Sequence, residues 1–244
     1  MLMSFTLEKY SYFPVMLVFF IVGGIQQAAG GFFMLRMKKV NEVTDEKKQA
    51  TEKINLFTYR PFRSLILANV FRGFHSGMFG AMATIGYYYE ILDGVSTGYM
   101  VTLSYIATIA SSFFFSRFAE NREQGYGKLL LVSSVLVAVM MPLMLIGRSE
   151  LIFLVFYGIS YFFFYIISTA VPVVVFRIAD YKIMGQYSAW RMLLTTLGSA
   201  VAGFVCVAAL DYLGGIVTLT LTGALQLISG VAYYREEKRQ SLCR

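Results

Sequence analysis

Residues 151–176 read LIFLVFYGISYFFFYIISTAVPVVVF, a run of 26 positions without a charged side chain. A helix needs about 20 mostly apolar residues to cross a hydrocarbon core of roughly 30 Å. This stretch is long enough to do so. The sequence therefore predicts a transmembrane helix here.

The rest of the chain has the same apolar character. Of its 244 residues 57% are hydrophobic and 14% are charged, and the mean hydropathy is +0.64. These values exclude an ordinary soluble domain and make the lipid bilayer the expected partner. The net charge of +7 does not indicate a nucleic-acid partner, because the basic residues lie between apolar runs and form no stripe on a soluble face.

Seven stretches are apolar and long enough to span a membrane. The fold class predicted is an all-α membrane protein with seven transmembrane helices. The first stretch is expected to be retained, since residues 1–13 lack the basic region of a cleavable signal peptide. The predicted spans are 14–35, 64–89, 97–116, 129–147, 151–176, 187–210 and 215–234.

The basic residues give these spans an orientation. Of the 21 lysines and arginines, Arg72 and Arg191 lie within spans, Lys9 and Arg148 lie on one set of loops, and the other 17 lie on the opposite set. Basic residues resist translocation, so the N-terminus is predicted outside the cell membrane and the C-terminus in the cytoplasm. The segments expected are an external segment with the first helix at 1–35, a cytoplasmic linker at 36–63, a six-helix bundle at 64–234 and a cytoplasmic tail at 235–244.

The second span carries a charge at membrane depth. Arg72 shares one broad helix face with Asn69, His75 and Ser76. An ionisable side chain inside a bilayer is costly, so Arg72 is a candidate for binding an anionic or hydroxyl-rich substrate. The alternative is an arginine that extends to the cytoplasmic interface. His75, the single histidine, could relay protons, but simple packing is the competing interpretation.

The span at 151–176 presents tyrosines along one stripe. Tyr157, Tyr161 and Tyr165 are four residues apart, and Pro172 follows on the same stripe. Tyrosine offers a flat face to a sugar ring and a hydroxyl for hydrogen bonding, although packing between helices explains the pattern equally well. Pro172 frees a backbone carbonyl and permits a kink, which suits a moving gate.

The sixth span begins with a charge and continues with small residues. Arg191 and Trp190 are expected to anchor this helix at the membrane interface. Thr195, Gly198 and Ala202 follow on the same stripe as Arg191. Small residues let helices approach closely and slide, so Gly198 is predicted to serve packing and movement.

Several classes of function are disfavoured by what the spans lack. No Asp or Glu lies deep in any span, and Cys206 and Cys243 have no paired or metal-binding spacing. An intramembrane enzyme needs a nucleophile with a base, paired acids or metal ligands at depth, so no enzyme, metal or cofactor is expected. A retinal protein needs a lysine in its last helix, and 215–234 has none. A seven-helix receptor stays open.

Four stretches carry a resemblance to a known family. They are YRPFRSLILANV at 59–70, GYYYEIL at 86–92, RFAENREQGYGK at 117–128 and FRIADYKIMGQYSAWRMLLTTLGSAVAGF at 176–204. Together with the long loop before them, they resemble the C-terminal part of a major facilitator superfamily transporter. The chain is most similar to the glycoside-pentoside-hexuronide:cation symporter family.

The resemblance implies a partial, half-size secondary transporter for a sugar, glycoside or similar small polar solute, coupled to a cation. In that family the substrate site lies between two six-helix halves, so a second half-transporter or a second copy is implied as partner. An inactive truncated fragment is the alternative. The residues expected to contact substrate are Asn69, Arg72, His75, Tyr161 and Tyr165, and those expected to permit packing or gating are Pro172, Arg191 and Gly198.

Overall fold

The computed structural model describes residues 57–121, 125–179 and 183–242, all within the compact unit Ile54–Arg244. The predicted first span at 14–35 and most of the predicted linker at 36–63 lie outside the described residues.

The described residues are helical and contain no strand. Each of the six predicted spans from 64 onward corresponds to helix, but the span at 64–89 is broken at Ala81 into a long and a short helix. The span at 129–147 ends in a 3₁₀ turn at Ile146–Arg148. The helices are α1 (Arg60–Gly80), α2 (Met82–Tyr88), α3 (Gly94–Asn121), α4 (Tyr126–Leu143), α5 (Glu150–Ile178), α6 (Met184–Leu213) and α7 (Gly215–Leu242).

Four of the helices, α3, α4, α5 and α7, are long and apolar enough to cross a membrane. Their ends follow ordinary helix chemistry. Asp93 precedes α3 and accepts the backbone N–H of Ser96 at 2.7 Å, which satisfies one of the donors that a helix start leaves free. The helix α7 extends beyond the predicted span and includes most of the predicted tail at 235–244.

Helices α1 and α6 run side by side in the same direction. Gly73 faces Thr195, and one turn further Gly77 faces Ser199. A Cβ atom on either glycine would collide with the backbone of α6. The two backbones are therefore in direct contact, as is typical of helices that pack through small residues.

Helix α7 runs antiparallel to α1. The Ser64 hydroxyl donates to a carboxylate oxygen of Glu236 at 3.0 Å, and further along α1 Asn69 accepts the Tyr233 hydroxyl at 2.5 Å. Asn69 follows Ser64 along α1, whereas its partner Tyr233 precedes Glu236 along α7. The end of α7 therefore lies beside the start of α1.

Helix α4 also runs antiparallel to α7. The backbone N–H of Gly127 donates to Glu237 at 2.7 Å, and the Gln226 amide donates to the Ser134 hydroxyl at 3.0 Å. The end of α5 reaches the same place, because Arg177 forms an ion pair with Glu237 at 3.9 Å. Helices α4, α5 and α7 thus meet where α1 begins.

Helices α3 and α5 run in the same direction. The Ser96 hydroxyl donates to Glu150 at 2.6 Å at their starts, and Phe114 and Phe162 form a ring contact further along. The starts of α1, α4 and α6 and the ends of α3, α5 and α7 therefore share one end of the bundle. We call it the basic end; its described basic residues are Arg60, Arg63, Arg117, Lys128, Arg177, Arg235, Lys238 and Arg239.

The opposite end, which we call the acidic end, carries the carboxylates Glu90, Asp93, Glu150 and Asp211 beside Arg148. The Tyr88 hydroxyl donates to Asp211 at 2.6 Å and joins the end of α2 to the end of α6.

Candidate functional site

Asn69 lies at the centre of a buried polar contact between α1 and α7. Its side chain is fully buried. The Asn69 amide donates to the carbonyl of Leu65 at 2.8 Å, and its Oδ1 accepts the hydroxyl of the equally buried Tyr233 at 2.5 Å. The predicted substrate contact from Asn69 would therefore have to compete with Tyr233 for that oxygen.

Arg72 lies one turn further along α1 and is half-buried. It is 12 residues beyond Arg60, which places it about 18 Å along the helix axis from the basic end. Its guanidinium lies within electrostatic range of the Tyr233 hydroxyl and of the Arg191 guanidinium. No hydrogen bond or ion pair joins Arg72 to another residue of the described ranges.

Arg191, predicted as an interfacial anchor, lies within electrostatic range of Arg72 in the structure. The contact of Gly73 with Thr195 sets the register of α1 on α6, and it places Arg191 level with Asn69. The Arg191 Nε is buried and finds no hydrogen-bond acceptor among the described residues. The bundle thus holds two neighbouring guanidinium groups.

Tyr187 adds a donor to the same place. It is fully buried, one turn before Arg191 on α6, and its hydroxyl has no partner in the part of the chain that the structure describes. It lies within electrostatic range of Tyr233 and Arg191. Arg72, Arg191, Tyr187, Tyr233 and Asn69 together form what we call the arginine cluster.

Sequence reasoning missed Tyr187 and Tyr233. Tyr187 is four residues before Arg191, so both share one helix face. On α7 the buried residues Gln226, Ser229 and Tyr233 recur at helical spacing in an otherwise apolar run. That polar stripe is a signal that could have found the face of α7 that meets Asn69.

His75 lies on α1 among aromatic rings. Its ring centroid is 5.7 Å from that of Phe79 and 5.6 Å from that of Phe164, and these two phenylalanines stack at 4.9 Å. Both imidazole nitrogens are buried with no partner in the described ranges. The contacts of the His75 ring within the described ranges are therefore aromatic.

Tyr161 joins this aromatic group, at 5.7 Å from Phe79 and 5.9 Å from Phe164 between ring centroids. Tyr165, one turn further along α5, is half-buried, and its carbonyl accepts the hydroxyl of Thr169. The structure therefore brings Tyr161 close to His75 through shared phenylalanines, whereas Tyr165 makes no ring contact with another described residue.

Gly198 and Pro172, which with Arg191 were predicted to permit packing or gating, lie in different surroundings. A Cβ atom on Gly198 would collide with the carbonyl of Val70 and lie 2.9 Å from the amide nitrogen of Phe74, so Gly198 is in close contact with α1. Pro172 is half-buried inside α5, which continues past it to Ile178.

The chemistry that the site offers is cationic and rich in donors. Within the described ranges no three residues among His, Cys, Asp and Glu are grouped to hold a metal ion. A separate cavity of about 280 Å³ lies near the acidic end, between Tyr89, Arg148 and Gly215, and does not include the arginine cluster. What the cluster can do is bind and orient a polar or negatively charged group.

No protein-family model matches this chain, and no curated protein matches it significantly.

Proposed function

We propose that this chain is the membrane-spanning part of a secondary transporter for a small polar solute. The observation that carries the proposal is the arginine cluster, since donors with no acceptor are expensive inside an apolar bundle and are retained where a solute uses them. The resemblance to the glycoside-pentoside-hexuronide:cation symporter family suggests a sugar or glycoside, whose transport is coupled to a cation.

The proposal extends the four apolar helices to seven spans. Helices α1 and α2 together cover residues 60–88, and α6 contains 192–210, a stretch without a charged residue. Both are long enough to cross a bilayer. The span at 14–35 would be the seventh.

The orientation proposed follows from the two ends of the bundle. Basic residues are retained on the cytoplasmic side of membranes, so the basic end would face the cytoplasm, with the C-terminus, and the acidic end would face outward. The N-terminus would then lie outside the cell membrane.

A six-helix half does not enclose a pathway by itself, since alternating access rocks one half against another. A second half-transporter or a second copy of this chain is therefore part of the proposal. No carboxylate lies deep in the described helices, so an acidic group that binds the coupling cation would come from that second half.

The test is binding of labelled sugars to the detergent-purified protein, with its oligomeric mass measured on the same sample and corrected for bound detergent. A stable dimer or heteromer that binds a sugar supports the proposal. Arg72→Gln should abolish that binding, whereas Arg63→Gln, which removes an exposed charge from the same helix, should leave it unchanged.

A monomer or aggregate that binds none of the sugars would contradict the proposal and favour the inactive truncated fragment. A receptor would bind its ligand without moving it across a membrane. Uptake into liposomes separates that possibility from a transporter.

A further inference from the structure

The cavity of about 280 Å³ near the acidic end has mainly apolar walls. It lies between the end of α2, the 3₁₀ turn and the start of α7. Gly215 forms its tightest corner, because a Cβ atom there would collide with the Tyr89 ring and with Leu145. The aliphatic side chains that complete the walls are Ile91, Leu213, Ile216 and Val217. Among the described residues, Arg148 is the one charged residue that borders the cavity.

Arg148 brings a positive charge to this cavity. It is the one described basic residue at the acidic end, and its side chain is exposed. Although four carboxylates lie at the same end, no ion pair between described residues includes Arg148. The guanidinium is therefore open to an anionic group that enters the cavity.

The backbone beside the cavity adopts a conformation that disfavours side chains. Within the described ranges, Glu90 and Arg148 are the residues other than glycine with a positive φ, at 54° and 47°. Arg148 lines the cavity, and Glu90 follows Tyr89, which also lines it. Two further left-handed positions nearby are glycines, Gly147 and Gly214. A side chain in this conformation costs free energy and is typical of sites that hold a ligand.

An exposed apolar face of α7 leads from the cavity towards the middle of the helix. Val217 lines the cavity, and Leu221, Ala224 and Ile228 follow at spacings of four, three and four residues, which keeps all of them on one face. Each of these side chains is exposed. The face is about 16 Å long, close to half of a hydrocarbon core of roughly 30 Å. Its length therefore matches an acyl chain in one leaflet.

The charges around the cavity favour one kind of headgroup. A water molecule takes up about 30 Å³ of liquid, so the cavity has room for a headgroup while the acyl chains lie outside it. A phosphate matches the planar fork of the Arg148 guanidinium. The four carboxylates of the acidic end repel a headgroup of net negative charge and attract an ammonium group. A zwitterionic headgroup carries the phosphate and the ammonium together.

We propose that this cavity binds one zwitterionic phospholipid, with its phosphate on Arg148 and one acyl chain along the α7 face that begins at Val217. The proposal goes beyond the proposed function. It requires the helices to cross a bilayer, but it does not require the chain to transport a solute.

Native mass spectrometry of the full chain, delipidated in detergent, measures how much lipid the protein retains. Phosphatidylethanolamine and phosphatidylglycerol with identical acyl chains are added in turn. We expect one phosphatidylethanolamine per chain, retained at lower lipid concentrations than phosphatidylglycerol, because the two headgroups share the phosphate and differ in the ammonium group.

Arg148→Gln should weaken binding of phosphatidylethanolamine at least about tenfold, the loss typical of one charged hydrogen bond. Ile216→Trp should also weaken it, because a larger side chain at this half-exposed position fills the cavity. Arg63→Gln removes an exposed arginine at the basic end and is the matched control, which should retain the lipid as the wild type does. Thermal unfolding without lipid identifies any variant that has failed to fold.

Arg148→Gly separates binding from folding. Glycine adopts a positive φ readily, so the lipid-free variant should unfold at a temperature at least as high as that of the wild type. It should nevertheless lose phosphatidylethanolamine. Retention of the lipid by Arg148→Gly would overturn the role of Arg148.

Three further results would overturn the proposal. Equal retention of phosphatidylethanolamine by the wild type, Arg148→Gln and Ile216→Trp would show that the cavity does not hold it. Equal retention of phosphatidylglycerol would refute the zwitterionic headgroup. If glycerophosphoethanolamine, which has the headgroup without acyl chains, displaced the lipid at a similar concentration, the ligand would be a soluble phosphate ester.

The failure of this proposal and of the proposed function can be told apart, because sugar binding is measured separately. A chain that retains phosphatidylethanolamine but binds no sugar would refute the transporter alone. A chain that binds sugar and retains no lipid would refute the lipid site alone.

Discussion

Gly73 of α1 and Thr195 of α6 lie so close that a side-chain carbon on Gly73 would collide with the Thr195 carbonyl oxygen. Gly198 makes the reciprocal approach to the Val70 carbonyl. Arg72 directly precedes Gly73, and Arg191 lies one turn before Thr195. The stability of this contact therefore bears directly on the site.

Gly73→Ala should destabilise the protein by about 1–3 kcal/mol, the usual range for forcing an extra carbon into a packed interface. The matched control is Gly80→Ala at the end of the same helix, where a Cβ atom meets nothing within 4 Å. That variant should be as stable as the wild type. Thermal unfolding in detergent measures both, and equal unfolding temperatures for the two variants would refute the backbone contact.

Tyr233→Phe should destabilise the bundle by about 1–3 kcal/mol, because Asn69 Oδ1 would be left buried without its donor. Tyr212→Phe is the matched control, since Tyr212 is 88% exposed and should tolerate the change. A double variant with Asn69→Leu should lose less than the sum of the two single variants. Strict additivity would mean that the two side chains do not interact.

The helices were largely predictable from sequence because apolar length is a strong local signal. Each predicted span from 64 onward corresponds to helix. The boundaries differ most at the end of α7, where polar residues such as Arg235 continue the helix to Leu242, beyond the predicted end at 234. The break at Ala81 was not predicted, since no proline marks it.

The site was harder to predict because it depends on register between helices. Arg72 stood out as a charge at depth, but Arg191 was interpreted as an anchor from its position near a helix start. Its place beside Arg72 follows from Gly73 and Gly198, whose contacts fix how α1 and α6 align. Spacing within one helix cannot supply that alignment.

His75→Leu should leave the unfolding temperature unchanged or raise it. The imidazole has two buried nitrogens without partners in the described ranges and lies among Phe79 and Phe164, so an apolar side chain of similar size removes a cost. Asn69→Leu is the comparison, because it breaks hydrogen bonds that exist, and it should lower the unfolding temperature. If His75→Leu lowered the unfolding temperature as much as Asn69→Leu does, the imidazole would have a hydrogen-bond partner in the folded protein.

Asp93 should make stability depend on pH at the acidic end. Its carboxylate accepts the backbone N–H of Ser96 at 2.7 Å and lies 2.8 Å from the Ser96 hydroxyl, whose single proton it shares with Glu150. These hydrogen bonds lower the pKa of Asp93 below its ordinary value of 3.8. Since the pKa is lower in the folded state, the stabilisation is present above pH 3.8 and is lost as the pH falls through the folded pKa.

Asp93→Asn should remove the stabilisation that comes from the ionised carboxylate. As the pH falls from 5 through the folded pKa of Asp93, the variant should therefore lose less stability than the wild type. Unfolding temperatures measured across that range test the prediction. Glu90→Gln, an exposed change in the same loop, controls for the loss of one charge. Its unfolding temperature should depend on pH as that of the wild type does. Parallel pH profiles for the wild type and Asp93→Asn would mean that the Ser96 hydrogen bonds do not favour the ionised carboxylate.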